Sequence, residues 1–245
     1  MMKIDEYQFK LSKLAEWDTY LLQESGLPGP RGNIELANAV ANLGDYALFQ
    51  RYLAYNAEIA PVNSPYEFLS FCGTLGLGRL LAEGRVELLL PLRDLASDRR
   101  WRVREAVAMA LQRWGAVDMH GLVCEMWIWC RGNHLEQRAA AAALCEPRLL
   151  GEPEHVQEVL KILDAITASI GSITDRHDES FLALRKGLGY CWSVAVVALP
   201  GEGKPLMEKW LESRDKDIRW IMQENLKKTR LKRLDPLWVE RWQNR

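Results

Sequence analysis

The stretch from Ser97 to Gly115 constrains the fold of this chain more than any other segment. Asp98 is followed, after four residues, by Val103 and Arg104, and apolar residues then recur mostly three or four residues apart. This spacing has the period of an amphipathic helix, and aspartate is a favoured residue for capping a helix start. Because a leucine-rich segment at 86–96 precedes it, the region predicts two consecutive helices joined by a short turn.

The same pairing of helices continues along the chain, and no segment shows the alternating, β-branched pattern of a strand. Gly, Pro, Asn and Asp residues mark the predicted helix ends. The predicted helices are 4–24, 34–43, 46–56, 65–83, 86–96, 100–114, 118–130, 134–145, 154–170, 178–199, 205–213, 216–228 and a short last helix begun by Asp235 and Pro236. The sequence therefore predicts an all-α protein.

A repeat becomes visible when the second helices of the pairs are aligned. Val103-Arg104 with Ala110-Leu111 corresponds to Ile218-Arg219 with Asn225-Leu226, and weaker matches place Arg138 and Arg185 at the position of Arg104. Successive arginines in this alignment are 34, 47 and 34 residues apart. Helix pairs of this length cannot bury their apolar faces alone, so we expect neighbouring pairs to stack.

The pattern Asp-x4-Val-Arg followed by Ala-Leu resembles a HEAT repeat. The resemblance implies a right-handed α-α superhelix of stacked helix pairs that forms one solenoid domain over 1–245. Within it, 1–60 would be an atypical N-terminal cap, 65–230 the repeats and 235–245 a C-terminal capping helix. In HEAT families the Asp and Arg tie neighbouring repeats together. The motif therefore implies structural roles for four residues, Asp98, Arg104, Arg219 and Asn225.

A narrower resemblance links two segments to the HEAT-like DNA alkylation-repair glycosylases. The segments are Trp101-Arg102-Val103-Arg104 and Arg219-Trp220-Ile221, the latter followed by Glu224-Asn225-Leu226. Those enzymes hold damaged DNA on a concave basic face, with Trp and Asp near the lesion. If this chain were such an enzyme, its catalytic candidates would be Asp94, Asp98 and Trp101. Asp98 also has a sufficient structural explanation in the repeat motif.

Two local clusters of cations stand out against a net charge of −1, which excludes the whole molecule as an electrostatic binder of nucleic acid. The segment 204–245 holds 12 basic and 7 acidic residues, an excess of 12 − 7 = +5. The candidates for phosphate or acidic-partner contact are Arg99, Arg100 and Arg102, near Arg104 and Arg113, and Lys227, Lys228, Arg230, Lys232 and Arg233. Neighbouring acids and a favourable helix dipole offer a purely structural alternative for both clusters.

Other functional classes find little support in the sequence. Five irregularly spaced cysteines indicate reduced thiols and no metal site, and no cofactor is expected. Glycines 73, 76 and 78 predict close helix packing and not a phosphate loop, because no strand precedes them. The longest apolar run, 188–199, is too short to cross a bilayer, and the start of the chain lacks a signal-peptide core, so we expect a cytoplasmic protein without a membrane partner.

These observations leave two hypotheses about function. The first is an interaction scaffold that binds a protein or a nucleic acid on the concave face of a HEAT-like solenoid, because solenoids are mostly binding surfaces. The alternative is an alkylation-repair glycosylase acting on damaged DNA. In both cases we expect the two basic clusters to lie on one groove, since both belong to second helices or their ends.

Overall fold

The computed structural model describes residues 3–244, so those parts of the terminal predictions that rest on Met1, Met2 and Arg245 lie outside the described residues. Regular structure within this range consists of fifteen α-helices and three short 3-10 turns, with no β-strand. The all-α prediction is therefore confirmed. Contacts along the chain divide it into two compact units, the first ending at Val117 and the second beginning at Asp118.

The first unit is built around one buried helix. Its helices are α1 (Lys3–Leu11), α2 (Asp18–Glu24), α3 (Ile34–Leu43), α4 (Tyr46–Leu53), α5 (Glu67–Ala82), α6 (Leu89–Leu95) and α7 (Trp101–Gly115). Helix α5 packs between α3 and α7, while α4 packs on α5 and α6 on α7. A Cβ atom at Gly78 would lie 2.4 Å from the Cα of Ala110, so this glycine lets α5 and α7 approach closely, as the sequence predicts.

The second unit consists of helix pairs in contact with one another. Its helices are α8 (Met119–Trp129), α9 (His134–Leu144), α10 (Pro153–Ser169), α11 (Glu179–Ala198), α12 (Pro200–Leu211), α13 (Lys216–Leu226), α14 (Thr229–Leu234) and α15 (Pro236–Gln243). Among the first helices of the pairs, α10 contacts α8 and α12; among the second helices, α11 lies between α9 and α13. This is the stacking expected of such pairs, whereas the right-handed superhelix stays a prediction.

Helix α11 is the central helix of the second unit. By length and composition it is the one helix of residues 3–244 that is apolar enough to cross a membrane. Phe181, Leu188 and Trp192 on this helix are nonetheless buried, because α9, α10 and α13 pack around it. Within the apolar run 188–199, residues 191–196 are all buried.

Several predicted helix boundaries were wrong. The predicted helix 4–24 is two helices, because the indole of Trp17 donates a 3.0 Å hydrogen bond to the carbonyl of Leu11 and ends α1 there. The helix predicted to reach residue 56 ends at Leu53, since the side chain of Asn56 accepts backbone hydrogen bonds that begin a new turn. Helix α12 begins at Pro200, five residues earlier than predicted, and includes Pro205 in its interior.

Asn225 joins α13 to α11 in the core of the second unit. Its side chain is fully buried. The Oδ1 atom accepts a 2.7 Å hydrogen bond from the amide of Ser193, and Nδ2 donates to the carbonyls of Leu188 and Ile221 at 2.8 Å each. Asn225 therefore has a structural role, and its partners are backbone groups of α11 and α13.

We expect Asn225→Ala to lower the free energy of unfolding by about 1–3 kcal/mol, because it removes three buried hydrogen bonds between this side chain and helix backbone. Urea denaturation measures the change. Gln243→Ala is the matched control, since that exposed side-chain amide also donates to a helix carbonyl, that of Leu226. The control should change stability by less than about 0.5 kcal/mol. Equal losses in the two variants would contradict the role given to Asn225.

Candidate functional site

The first predicted cluster of cations lies largely inside the protein. Arg100 is 2% exposed, and its guanidinium donates to the carbonyl of Tyr55 at 2.7 Å and to the hydroxyl of Ser70 at 2.9 Å. Both carboxylate oxygens of Asp98 accept from the same guanidinium, at 3.0 and 2.8 Å. Because all these partners lie inside the protein, the guanidinium of Arg100 is not exposed to a phosphate. The structure therefore corrects the prediction that Arg100 is a phosphate contact.

Arg102 has a similar internal role. Its guanidinium lies 3.0 Å from the fully buried carboxylate of Glu67 and donates to the carbonyl of Gly29 at 2.6 Å. The bonds tie α7 to α5 and to the loop after α2, so Arg102 is also removed from the predicted phosphate contacts. Arg99 is exposed, while Arg113 is partly buried and bonded to the side chain of Asn42. Burial lowers the pKa of Arg113.

The predicted tie between Asp98 and Arg104 is corrected by the structure. The carboxylate of Asp98 pairs with Arg100, and Arg104 instead donates to the backbone carbonyls of Asp98 at 2.6 Å and Arg99 at 3.0 Å. Asp98 does not cap α7 either, because the residue before that helix is Arg100. Arg104 therefore stabilises the turn before α7 through backbone hydrogen bonds, and not through the predicted ion pair with Asp98.

The catalytic candidates do not form one site. Asp94 lies exposed on α6, whereas both oxygens of Asp98 are occupied by Arg100. Trp101 is 44% exposed, and the guanidinium of Arg102 lies 4.4 Å from the centre of its ring. The same guanidinium pairs with the buried carboxylate of Glu67 at 3.0 Å, and this ion pair fixes Arg102 beside the partly exposed ring of Trp101.

The second unit contains a groove between α11 and α13 with a volume of about 500 Å³. Basic, aromatic and small residues line it: Leu182, Arg185, Lys186, Gly189, Tyr190, Trp220, Glu224 and Lys228. A Cβ atom at Gly189 would lie 3.3 Å from the Cβ of Glu224 and 3.4 Å from the ring of Trp220, so glycine permits the close approach of the two helices here. The bonds of Asn225 hold the same helices together.

Two aromatic rings in this groove are bordered by cations. The guanidinium of Arg185 lies 3.8 Å from the centre of the Trp220 ring and 2.9 Å from the carboxylate of Asp217. Tyr190 is 44% exposed, the guanidinium of Arg230 lies 4.5 Å from its ring centre, and Arg230 also donates to its hydroxyl. Cations at this distance from an aromatic face are attracted to it and fix the ring orientation.

Three cations of the groove and its border have no carboxylate partner among the described residues: Lys186, Lys228 and Arg230. Other lysines of the same unit are neutralised, since Lys161 lies 2.7 Å from Glu158 and Lys204 lies 2.6 Å from Asp235. Glu224, the one carboxylate lining the groove, pairs with Lys227. The groove therefore combines net positive charge with two rings.

The second predicted cluster is divided by the structure. Lys228 and Arg230 border the groove, but Lys227 is paired and Lys232 and Arg233 are exposed on α14. The predicted loop at 229–234 is a helix, α14, which packs against α11 and brings Arg230 to Tyr190. Sequence reasoning missed that helix because its six residues are too few to show a periodic pattern.

Sequence reasoning also missed the tie between α11 and α13. Arg219 occupies the motif position but is exposed, whereas Arg185 and Arg176 share Asp217, at 2.9 and 3.3 Å, and Arg176 also pairs with Asp215. Asp215 caps α13 by accepting from the amides of Asp217 and Ile218. The alignment of Arg185 with Arg104 in the repeat was the one sequence feature that pointed to this tie. The sequence did not mark Asp217 as the partner, because an aspartate in the first turn of a helix is common.

No group of three or more His, Cys, Asp or Glu side chains able to hold a metal ion occurs in residues 3–244. The five cysteines are all free, and burial raises the pKa of the Cys72 thiol well above its usual value.

The sequence matches no protein-family model and no curated protein. The HEAT resemblance therefore stays a prediction.

Arg102 and Arg99 form a matched test of the internal and surface arginines. We expect Arg102→Ala to lower the free energy of unfolding by about 3–5 kcal/mol, because it leaves the buried carboxylate of Glu67 without its cation. Arg99→Ala should change it by less than about 0.5 kcal/mol. Thermal and urea unfolding measure both. A small loss for Arg102→Ala would mean that its guanidinium is available to a partner.

Proposed function

We propose that the protein is a non-enzymatic interaction module that binds single-stranded nucleic acid in the groove between α11 and α13. The observation that carries the proposal is the set of three cations without carboxylate partners, Lys186, Lys228 and Arg230, beside the rings of Tyr190 and Trp220. The proposal retains the HEAT-like reading of the repeat, in which second helices line the binding face.

Each chemical feature of the groove matches one part of a single strand. Lysine and arginine side chains neutralise phosphates, and aromatic rings stack on bases without regard to sequence. A volume of about 500 Å³ lies in the range of pockets that hold small ligands, which suits one or two nucleotides. A duplex keeps its bases stacked inside the helix, so it would leave Tyr190 and Trp220 without partners.

Two other occupants are less well supported. An acidic protein segment would pair with the cations but would not use the exposed ring of Tyr190. The glycosylase hypothesis needs a carboxylate free to act beside the lesion. Asp98 is bonded to Arg100, and Glu224 in the groove is paired with Lys227. No contact in the described residues favours the enzyme.

Binding is measured by fluorescence anisotropy with a fluorescein-labelled oligothymidylate. We expect weak binding at low salt that falls roughly twentyfold between about 50 and 200 mM salt, as neutralisation of about three phosphates predicts. Lys186→Glu with Lys228→Glu should abolish most of that salt dependence. Tyr190→Leu should weaken binding about tenfold, because a base loses its stacking partner.

Lys3→Glu with Lys13→Glu is the charge-matched control. Both lysines are exposed residues of the first unit, and neither lines the groove. This double variant should bind like the unaltered protein. Equal losses in the control, equal affinity for duplex, or equally effective competition by polyglutamate would refute the proposal. Circular dichroism verifies that each variant is folded.

A further inference from the structure

A second cavity in the second unit, of about 240 Å³, has a polar lining and lies apart from the proposed nucleic-acid groove. It is formed by the start of α9, the end of α10 with the turn that follows, and the start of α11. Its lining residues are Gly132, Asn133, His134, Gln137, Ser169, Ser172, Ile173 and Ser180. We call it the serine pocket. Which of its side chains donate and which accept hydrogen bonds indicates the chemical class of ligand that it can bind.

The three hydroxyl groups of the serine pocket donate their only protons elsewhere. Ser169 donates to the carbonyl of Ile166, and Ser172 donates to the carbonyl of Ser169, both at 2.8 Å. Ser180 donates to the carboxylate of Asp178. A hydroxyl carries one proton and two lone pairs, so each serine offers the pocket only acceptor capacity.

Gln137 adds an acceptor that has no partner. Its side chain is 6% exposed, and Nε2 donates to the carbonyl of Cys130 at 3.1 Å and to the hydroxyl of Ser169 at 3.4 Å, which leaves that hydroxyl one free lone pair. That carbonyl can only accept, which fixes the amide orientation and leaves Oε1 facing away from it. Oε1 is buried and has no hydrogen-bond partner within the described residues, so it can accept from an occupant that donates.

His134 and Asp178 complete the electrostatics of the pocket. Nδ1 of His134 lies 3.1 Å from the Ser180 hydroxyl and 3.4 Å from the Asp178 carboxylate. Since the Ser180 proton points to Asp178, Nδ1 must be the donor in this contact, and the neutral ring then has an acceptor at Nε2. The hydrogen bond from Ser180 lowers the pKa of Asp178, which keeps a negative charge beside the pocket.

An anion is the other occupant to consider, because helix starts favour negative charge. The amides that would hold an anion are already occupied here. Asn133 Oδ1 accepts from the amides of Leu135 and Glu136, and Asp178 accepts from the amide of Phe181 at 3.0 Å. The side chains of Asn133 and Asp178 therefore cap the starts of α9 and α11. The Asp178 carboxylate is negatively charged and would repel an anion.

We infer that the serine pocket binds an organic cation with several N–H donors, a primary alkylammonium group. Such a group offers three donors to the pocket's acceptors, Gln137 Oε1 and the hydroxyls of Ser169, Ser172 and Ser180. The carboxylate of Asp178 compensates its charge. A volume of about 240 Å³ is about eight times the share of a water molecule in the liquid, so an ammonium head with a short carbon stem fits.

The test uses ¹H–¹⁵N correlation spectra of the full chain titrated with methylammonium chloride, with sodium chloride and methanol as matched probes. We expect saturable shifts of the Gln137 side-chain amide and the Ser180 backbone amide with methylammonium only. A lysine derivative blocked at both backbone ends separates the two sources of such a group. Tighter binding of that derivative assigns the pocket to a partner's lysine, and equal binding assigns it to a free amine.

Gln137→Met keeps the side-chain length and removes the acceptor, and it should weaken methylammonium binding at least about fivefold. Gln157→Met is the control, because that glutamine of the same unit bonds Glu202 outside the pocket. If Gln137→Met does not fold, Ser172→Ala at an exposed position gives the same test, with a loss of about two- to fivefold. Unsaturable shifts, equal shifts with sodium or methanol, or tighter binding of acetate would overturn the inference.

Discussion

The junction between α11 and α13 is the contact on which the second unit depends. The amide of Ser193, inside a helix, donates to the side chain of Asn225 on the neighbouring helix, and the carbonyl of Leu188 accepts from the same side chain. Asp217 adds ion pairs from the start of α13 to Arg185 and Arg176. Gly189 lets the two helices approach closely, and the rings of Tyr190 and Trp220 border the groove beside this contact.

The arginines show how one residue type fulfils opposite roles in the two units. Arg100 and Arg102 enter the core, where Asp98 and Glu67 offset their charge and backbone carbonyls accept their remaining protons. Burying a guanidinium is unfavourable unless such partners exist. Arg230 meets no carboxylate and lies on the ring of Tyr190 at the surface. Local density of cations in the sequence is therefore a poor guide to a binding face.

The sequence analysis was accurate where local chemistry decides the structure. Asn33, Asp45 and Asp235 each cap a helix that begins where the sequence predicts, because a side-chain oxygen next to the first amides needs no distant partner. It failed where a distant group decides, as when the Trp17 indole ends α1. It failed also for α14, whose position depends on packing against α11.

The sequence by itself determined the helical class and the order of the helix pairs, because periodicity and capping are properties of neighbouring residues. It also marked Lys228 and Arg230 as members of a basic segment. Only the tertiary structure decided which arginines are exposed and which lie in the core, and only it brought the residues of the serine pocket together. The buried partners of Arg102 and Asn225 are 30 or more residues away in the chain, Glu67 for the first and Ser193 for the second, and no local pattern encodes those contacts.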